Sequence, residues 1–151
     1  MTAFADAWQA ALGAQQQAVF GYGLLGPHLS GTDQPRALAA QVAHETSRDA
    51  ISMAMTQAGV APANAAADYP GLYPVADAAS ALKLAARLED DCASAWRVLY
   101  AAAASDSPSD VPGATARRRE AQAGLTAAAV TAARWRKIDK VVPASRAFPG
   151  L

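Results

Sequence analysis

Glu89 is a carboxylate on a face where an apolar side chain is due. Leu82, Ala85, Glu89, Cys92, Trp96, Leu99 and Ala103 recur at alternating spacings of three and four, which sets them on one side of a helix. An ionised carboxylate on that side needs a partner or a metal, or it must protonate. The inward positions expected of the other helices include Gln15, Gln41 and His44, which with Glu89 make a candidate buried polar centre. A bundle that holds two metal ions takes a Glu from each of two helices and a Glu-x-x-His from each of the other two. Two cations need several anionic oxygens to neutralise and bridge them, and imidazoles for directional ligation. Here Gln15 stands where a Glu would serve, and Gln41-Val-Ala-His44 has an amide in place of the carboxylate. Glu89 keeps its charge, and Glu120-Ala-Gln-Ala123 has alanine at the imidazole position. Two carboxylates and one histidine would leave a metal pair under-neutralised. The sequence thus predicts no di-iron chemistry, no resident cofactor and no catalytic residue. The competing reading is a metal-dependent oxidase or metal store with a reduced site of His44, Glu89 and Glu120.

Other chemistries find less. Cys92 is the lone cysteine and faces inward, so it reads as a small buried hydrophobe. A Cys92–His44 nucleophile–base pair would lie inside helices rather than at a cleft. Gly21-Tyr-Gly23 lacks the strand and spacing of a dinucleotide-binding loop.

The elements that would position these residues are four helices. Thr2 or Asp6 caps a first helix to about Leu25, with Trp8, Leu12, Gln15, Val19 and Tyr22 inward and Gln9 and Gln16 turned away. Its glycines, Gly21, Gly23 and Gly26, predict a frayed end, and Gly26-Pro27 stops it. A second helix follows Thr32-Asp-Gln-Pro35 and runs to about Ala58. Its apolar face is read as Leu38, Val42, Ile51 and Met55, with Gln41, His44 and Glu45 on the same broad side. The third spans Asp77 to Ala104 with Asp77 as its cap; the fourth opens near Pro112 and runs to about Ile138, with Ala121, Leu125, Ala128, Ala132 and Trp135 inward.

Between helices two and three lies an irregular stretch, Val60 to Val75, punctuated by three prolines. A helix of about 20 residues is about 30 Å long, and sixteen extended residues reach roughly 50 Å. The stretch can return along the whole bundle, so helix three can run parallel to helix two, with Tyr69, Leu72 and Tyr73 packed across the helices as a cover. Short, long, short connections predict an all-α, ferritin-like four-helix bundle over residues 1–140, followed by an extended tail over 141–151.

Composition agrees. The chain of 151 residues is 52% hydrophobic, much of it alanine, the best helix former. No uninterrupted apolar run reaches the roughly 20 residues that a membrane span needs, and no basic region precedes an apolar stretch at the start. A cytoplasmic protein is the expectation. Net charge is zero but uneven: residues 1–113 hold 5 Lys/Arg and 11 Asp/Glu, a net −6, and residues 114–151 hold 8 and 2, a net +6. The basic third reads as packing against the acidic helices of its own fold; the alternative is RNA or ribosome association. Tyr69, Tyr73, Arg117, Arg118, Arg119 and Phe148 are candidate partner-surface residues.

Four segments carry a family resemblance: Ala14-Gln-Gln-Gln-Ala-Val-Phe-Gly-Tyr-Gly23, Ala43-His-Glu-Thr-Ser-Arg-Asp-Ala50, Leu88-Glu-Asp-Asp-Cys-Ala-Ser-Ala-Trp-Arg97 and Ala132-Ala-Arg-Trp-Arg136. With them the chain, from about Trp8 to Gly150, resembles the actinobacterial ferritin-like proteins of unknown function, the DUF4439 group. The resemblance implies a ferritin-like bundle, a homodimer or small homo-oligomer, no established activity, and a Glu in relatives where Gln15 stands. Residues and resemblance together predict a bundle without di-iron chemistry that serves as a binding or assembly module.

Overall fold

The computed structural model describes residues 2–105 and 113–151, so the expected helix opening at Pro112 lies outside the described residues. Four helices account for the fold: α1 (Ala3–Leu25), α2 (Asp33–Gln57), α3 (Ala78–Ser105) and α4 (Ala114–Ile138). Among the described residues there is no strand, and no helix is long and apolar enough to cross a membrane.

The ends of the helices follow from local chemistry. The Thr2 hydroxyl accepts the Ala5 N–H at 3.2 Å, meeting one of the donors that a helix start leaves open. Asp77 Oδ1 accepts the Ser80 N–H at 2.8 Å, while Ser80 Oγ accepts the Ala76 and Asp77 N–H groups, each at 3.1 Å. That exchange is a capping box with serine in place of the usual glutamate. Gly59 ends α2 with φ +75, a conformation glycine adopts without a Cβ penalty.

Two apolar clusters fix the directions. One gathers Phe4 and Trp8 of α1, Ile51 and Met55 of α2, Trp96 to Ala103 of α3 and Ala121 of α4. The other gathers Tyr22 and Leu25 of α1, Ala37 of α2, Ala81 to Leu88 of α3 and Trp135 of α4. So α1 runs antiparallel to α2 and α3, α4 antiparallel to α3, and α2 parallel to α3. A connection spanning the bundle is therefore required, and residues 58–77 supply it. They lie along α1. Gln9 donates to the Ala61 carbonyl (2.7 Å) and accepts the Ala63 N–H (3.0 Å), and Gln16 donates to the Ala63 carbonyl (2.8 Å). Farther along, Tyr69 packs on Phe20 with ring centroids 5.2 Å apart, and Leu72 is buried. Gln9 and Gln16 thus point away from the core but hold the crossover backbone, which has no ladder of its own to satisfy it.

Three expectations are corrected. The end of α1 is not frayed: Gly21 is buried, and a Cβ there would lie 2.5 Å from Leu88 Cδ1, so the glycine lets α1 and α3 approach closely. The inner stripe of α2 is Ala37, His44, Ile51 and Met55, while Leu38 and Val42 are 61% and 51% exposed. Leu38 sits about 100° around the helix from Ala37, so one residue decides core or solvent. The side of α2 away from α1 is uncovered, because α2 and α4 scarcely meet. Residues 139–151 are irregular but not merely laid out on the surface. They turn back on α3, where Ser94 Oγ and Arg97 Nε donate to the Gly150 carbonyl at 3.1 and 2.7 Å.

Close helix contact generates a prediction of opposite signs. A Cβ at Gly124 would lie 2.4 Å from the buried Trp96 indole, whereas at Gly13 nothing lies within 4 Å. Gly124→Ala is expected to cost about 1–3 kcal/mol of overpacking, beyond the roughly 1 kcal/mol that alanine returns in a helix. Gly13→Ala is expected to stabilise by about 0.5–1 kcal/mol. Urea denaturation of both variants checks the pair.

Candidate functional site

Between the two apolar clusters the helices meet at polar side chains. Gln15 and Tyr22 lie seven residues, two turns, apart on α1 and share its inward stripe; His44 comes from α2, Glu89 from α3 and Trp135 from α4. Glu89 is 2% exposed. Its Oε1 accepts the Tyr22 hydroxyl at 2.6 Å and faces His44 Nε2 at 3.0 Å. His44 Nδ1 meets Gln15 Oε1 at 2.7 Å, and Trp135 Nε1–H donates to the Tyr22 oxygen at 2.8 Å. The His44 and Tyr22 rings stack, with centroids 5.5 Å apart. Every helix therefore contributes to one chain: Trp135, Tyr22, Glu89, His44, Gln15.

The donors and acceptors set the charges. Burial, and then the Glu89 charge, push the Tyr22 hydroxyl well above its usual range, so it stays protonated and donates. With Gln15 Oε1 towards the imidazole, Nδ1–H donates to it and a single proton lies between Nε2 and Glu89 Oε1. Turning the amide over lets Nδ1 accept, and then His44 is neutral. In either orientation one polar atom of Gln15 has no partner; as it stands, that atom is Nε2. One turn from Glu89, Cys92 is fully buried, and burial, then the nearby Glu89 and Asp91 charges, push its thiol well up. The thiol points to the Ala14 carbonyl at 3.6 Å and is no nucleophile.

Of the four residues expected at the centre, Gln15, His44 and Glu89 converge and Gln41 does not. Gln41 is half-buried and reaches Glu45 Oε1 at 3.5 Å. Nor does Glu120 join. Because Gly124 abuts Trp96, Glu120 sits a further turn towards the other end of the bundle, about 16 Å along α3 from Glu89 at 1.5 Å per residue. It pairs with Arg117 Nη1 at 2.7 Å, and burial, opposed by Arg117, raises its carboxyl. Among the described residues no three His, Cys, Asp or Glu side chains gather as metal ligands. The donor set does not suit a metal pair: one carboxylate, one imidazole and one neutral amide supply too little anionic oxygen for two cations, and Glu89 Oε1 already meets Tyr22 and His44.

The sequence reading placed Tyr22 and Trp135 inward and missed their roles as donors. The signal was available: a buried tyrosine hydroxyl and a buried indole N–H each need a partner, and Tyr22 is two turns from Gln15. The residues proposed as a partner surface are dispersed. Tyr69 and Tyr73 lie on the crossover near the end of α1; Arg117, Arg118 and Arg119 start α4 at the opposite end, where Arg117 also sits 5.4 Å from the Trp8 ring. Arg118 reaches Thr115 at 3.3 Å, and Phe148, 72% exposed, lies in the final segment. Part of the basic third is neutralised inside the fold, since Asp90 pairs with Arg136 and, at 3.3 Å, with Arg146.

The solved structure of a conserved hypothetical protein, rv2844, from Mycobacterium tuberculosis is similar to this chain, with a TM-score of 0.80 and 29% identity over 90% of this chain and 96% of that one. No curated protein matches. The family described as a domain of unknown function, DUF4439, matches residues 7–151. That span takes in all five members of the buried chain from Gln15 to Trp135, and this protein belongs to the DUF4439 family.

Proposed function

We propose that this protein is a ferritin-like bundle without di-iron chemistry that works as a binding or assembly module. What supports the reading best is the state of Glu89: its accepting oxygen serves Tyr22 and His44, and the second carboxylate that a bridged site needs is turns away, against Arg117. On this reading the polar centre is a structural pin. A lone, buried thiol fits a reducing, cytoplasmic setting. Assembly as a homodimer or small homo-oligomer belongs to the same reading, supported by exposed apolar side chains such as Tyr73 and Phe148.

The competing reading, a reduced metal site at His44, Glu89 and Glu120, is separated by metal analysis of protein purified from iron- or manganese-supplemented growth. Metal well below one equivalent per chain is expected. Stoichiometric metal that disappears in Glu89→Ala would overturn the proposal.

Stability measurements give a second test. If Glu89 is a pin, Glu89→Ala strands the Tyr22 and His44 donors and costs about 3–5 kcal/mol. Glu89→Gln keeps an acceptor oxygen and costs less. Trp135→Phe removes one donor from the Tyr22 oxygen and costs about 1 kcal/mol. Denaturant unfolding reads all three. A Glu89→Ala variant as stable as the parent, or more so, would instead mark Glu89 as a residue held at a stability cost for function.

A further inference from the structure

The open side of the bundle carries chemistry that the polar centre does not use. Where the N-terminal half of α2 faces the end of α4 there is a cleft of about 830 Å³. Ala39 and Ala43 form one wall; Trp135 and Ile138 form the other. Arg36, Arg134 and Lys137 border it, and among the described residues no acidic side chain lines it. Beyond Arg134 the outer face of α4 alone continues over Val130, Ala127 and Ala123 to Arg119, with no second wall.

Two of the bordering cations are uncommitted. Arg36 pairs with Asp33 at 2.7 Å, an exposed contact of little worth. Arg134 and Lys137 have no acidic partner within 4 Å among the described residues. A mineral anion would use these charges and leave the alanine, indole and isoleucine walls idle. A neutral hydrocarbon would do the reverse. The cleft volume is that of a small-molecule site, with apolar walls and a basic border. We infer that the α2/α4 cleft binds a single-chain amphiphile with an anionic carboxylate head: the head between Arg134, Lys137 and Arg36, the chain between Ala39 and Ala43 on one side and Trp135 and Ile138 on the other. This rests on the binding-module reading and gives its ligand a chemical class.

The test is calorimetric titration of the full chain, purified without detergent, with sodium dodecanoate below its micelle concentration. Saturable binding near one per chain is expected, with acetate, inorganic phosphate and octyl glucoside failing to saturate. Arg134→Ala/Lys137→Ala should weaken binding by about tenfold or more, as the loss of one charge-assisted contact implies. Ala43→Phe, at an exposed position that the fold does not need, should fill the wall and weaken binding with every cation in place. Absence of saturable binding, equal binding by both variants, or octyl glucoside binding as well as dodecanoate would each overturn the inference. So would sedimentation showing a dimer that Ala43→Phe dissociates, since the cleft would then belong to a second copy. The centre and the cleft fail separately: stoichiometric metal at Glu89 overturns the first whatever the titration shows, and a metal-free chain that takes no dodecanoate overturns only the second.

Discussion

The hydrogen bonds from Tyr22 and His44 to one oxygen of Glu89 hold more than a side chain in place. Alanine lines much of α1, α3 and α4, and an alanine contact discriminates weakly between one height and the next. Those contacts drive the helices together and leave their height to the larger and the polar side chains. A carboxylate out of water sets that height sharply, because displacing Tyr22 or His44 by one turn, about 5.4 Å, would strand a buried charge. Glu89 pins α1 through Tyr22 and α2 through His44, and Trp135 extends the pin to α4. The apolar clusters on either side can then repeat small residues without losing register. Polar groups in this role add specificity rather than net stability.

Large side chains reinforce that register where they meet glycine. Trp96 lies against Gly124 and Leu88 against Gly21, one contact in each apolar cluster. Each pairs a bulky group on α3 with a gap on a neighbour. The crossover adds a third constraint, since Gln9 and Gln16 hold Ala61 and Ala63 to α1. So α1 is covered on three sides, while α2 packs mainly on α1 and keeps an apolar side uncovered.

Where a residue's own chemistry decides its place, the sequence was legible. Caps, glycines and prolines bounded α1, α2 and α3 to within a residue or two, because the unmet donors and acceptors at helix ends are local demands. The length of the stretch between α2 and α3 permitted the parallel run that they take. The inner side of α2 did not follow, because the apolar pattern there is ambiguous: Leu38 and Val42 are the greasier choice, but Ala37, His44, Ile51 and Met55 are what α1 covers. Hydropathy identifies a core face only when every apolar side chain is covered. Gln41 was misassigned for a related reason, since a three-residue spacing from His44 brings it to the same side but not to the same depth. Tyr22 and Trp135 were visible as bulk and invisible as donors, since periodicity weighs a ring and ignores its hydroxyl or N–H.

A buried polar centre does not by itself argue for chemistry. Consider how such a centre could be lost. Replacing Glu89, Tyr22 and His44 together by well-packed apolar groups is energetically tolerable, since a buried ion pair is often no better than a hydrophobic isostere. Replacing any one of them alone is not, because the partners keep their unmet donors and charge in a dry interior. Single substitutions therefore meet a barrier that the combined change does not, and a centre of this kind persists whether or not it performs a reaction. Arg134 and Lys137 on α4, with no acidic partner within 4 Å among the described residues, and exposed Ala43 on α2 are held by no such network, and each could change alone at little cost to the fold. Function is better sought on that open side than at the pinned interior.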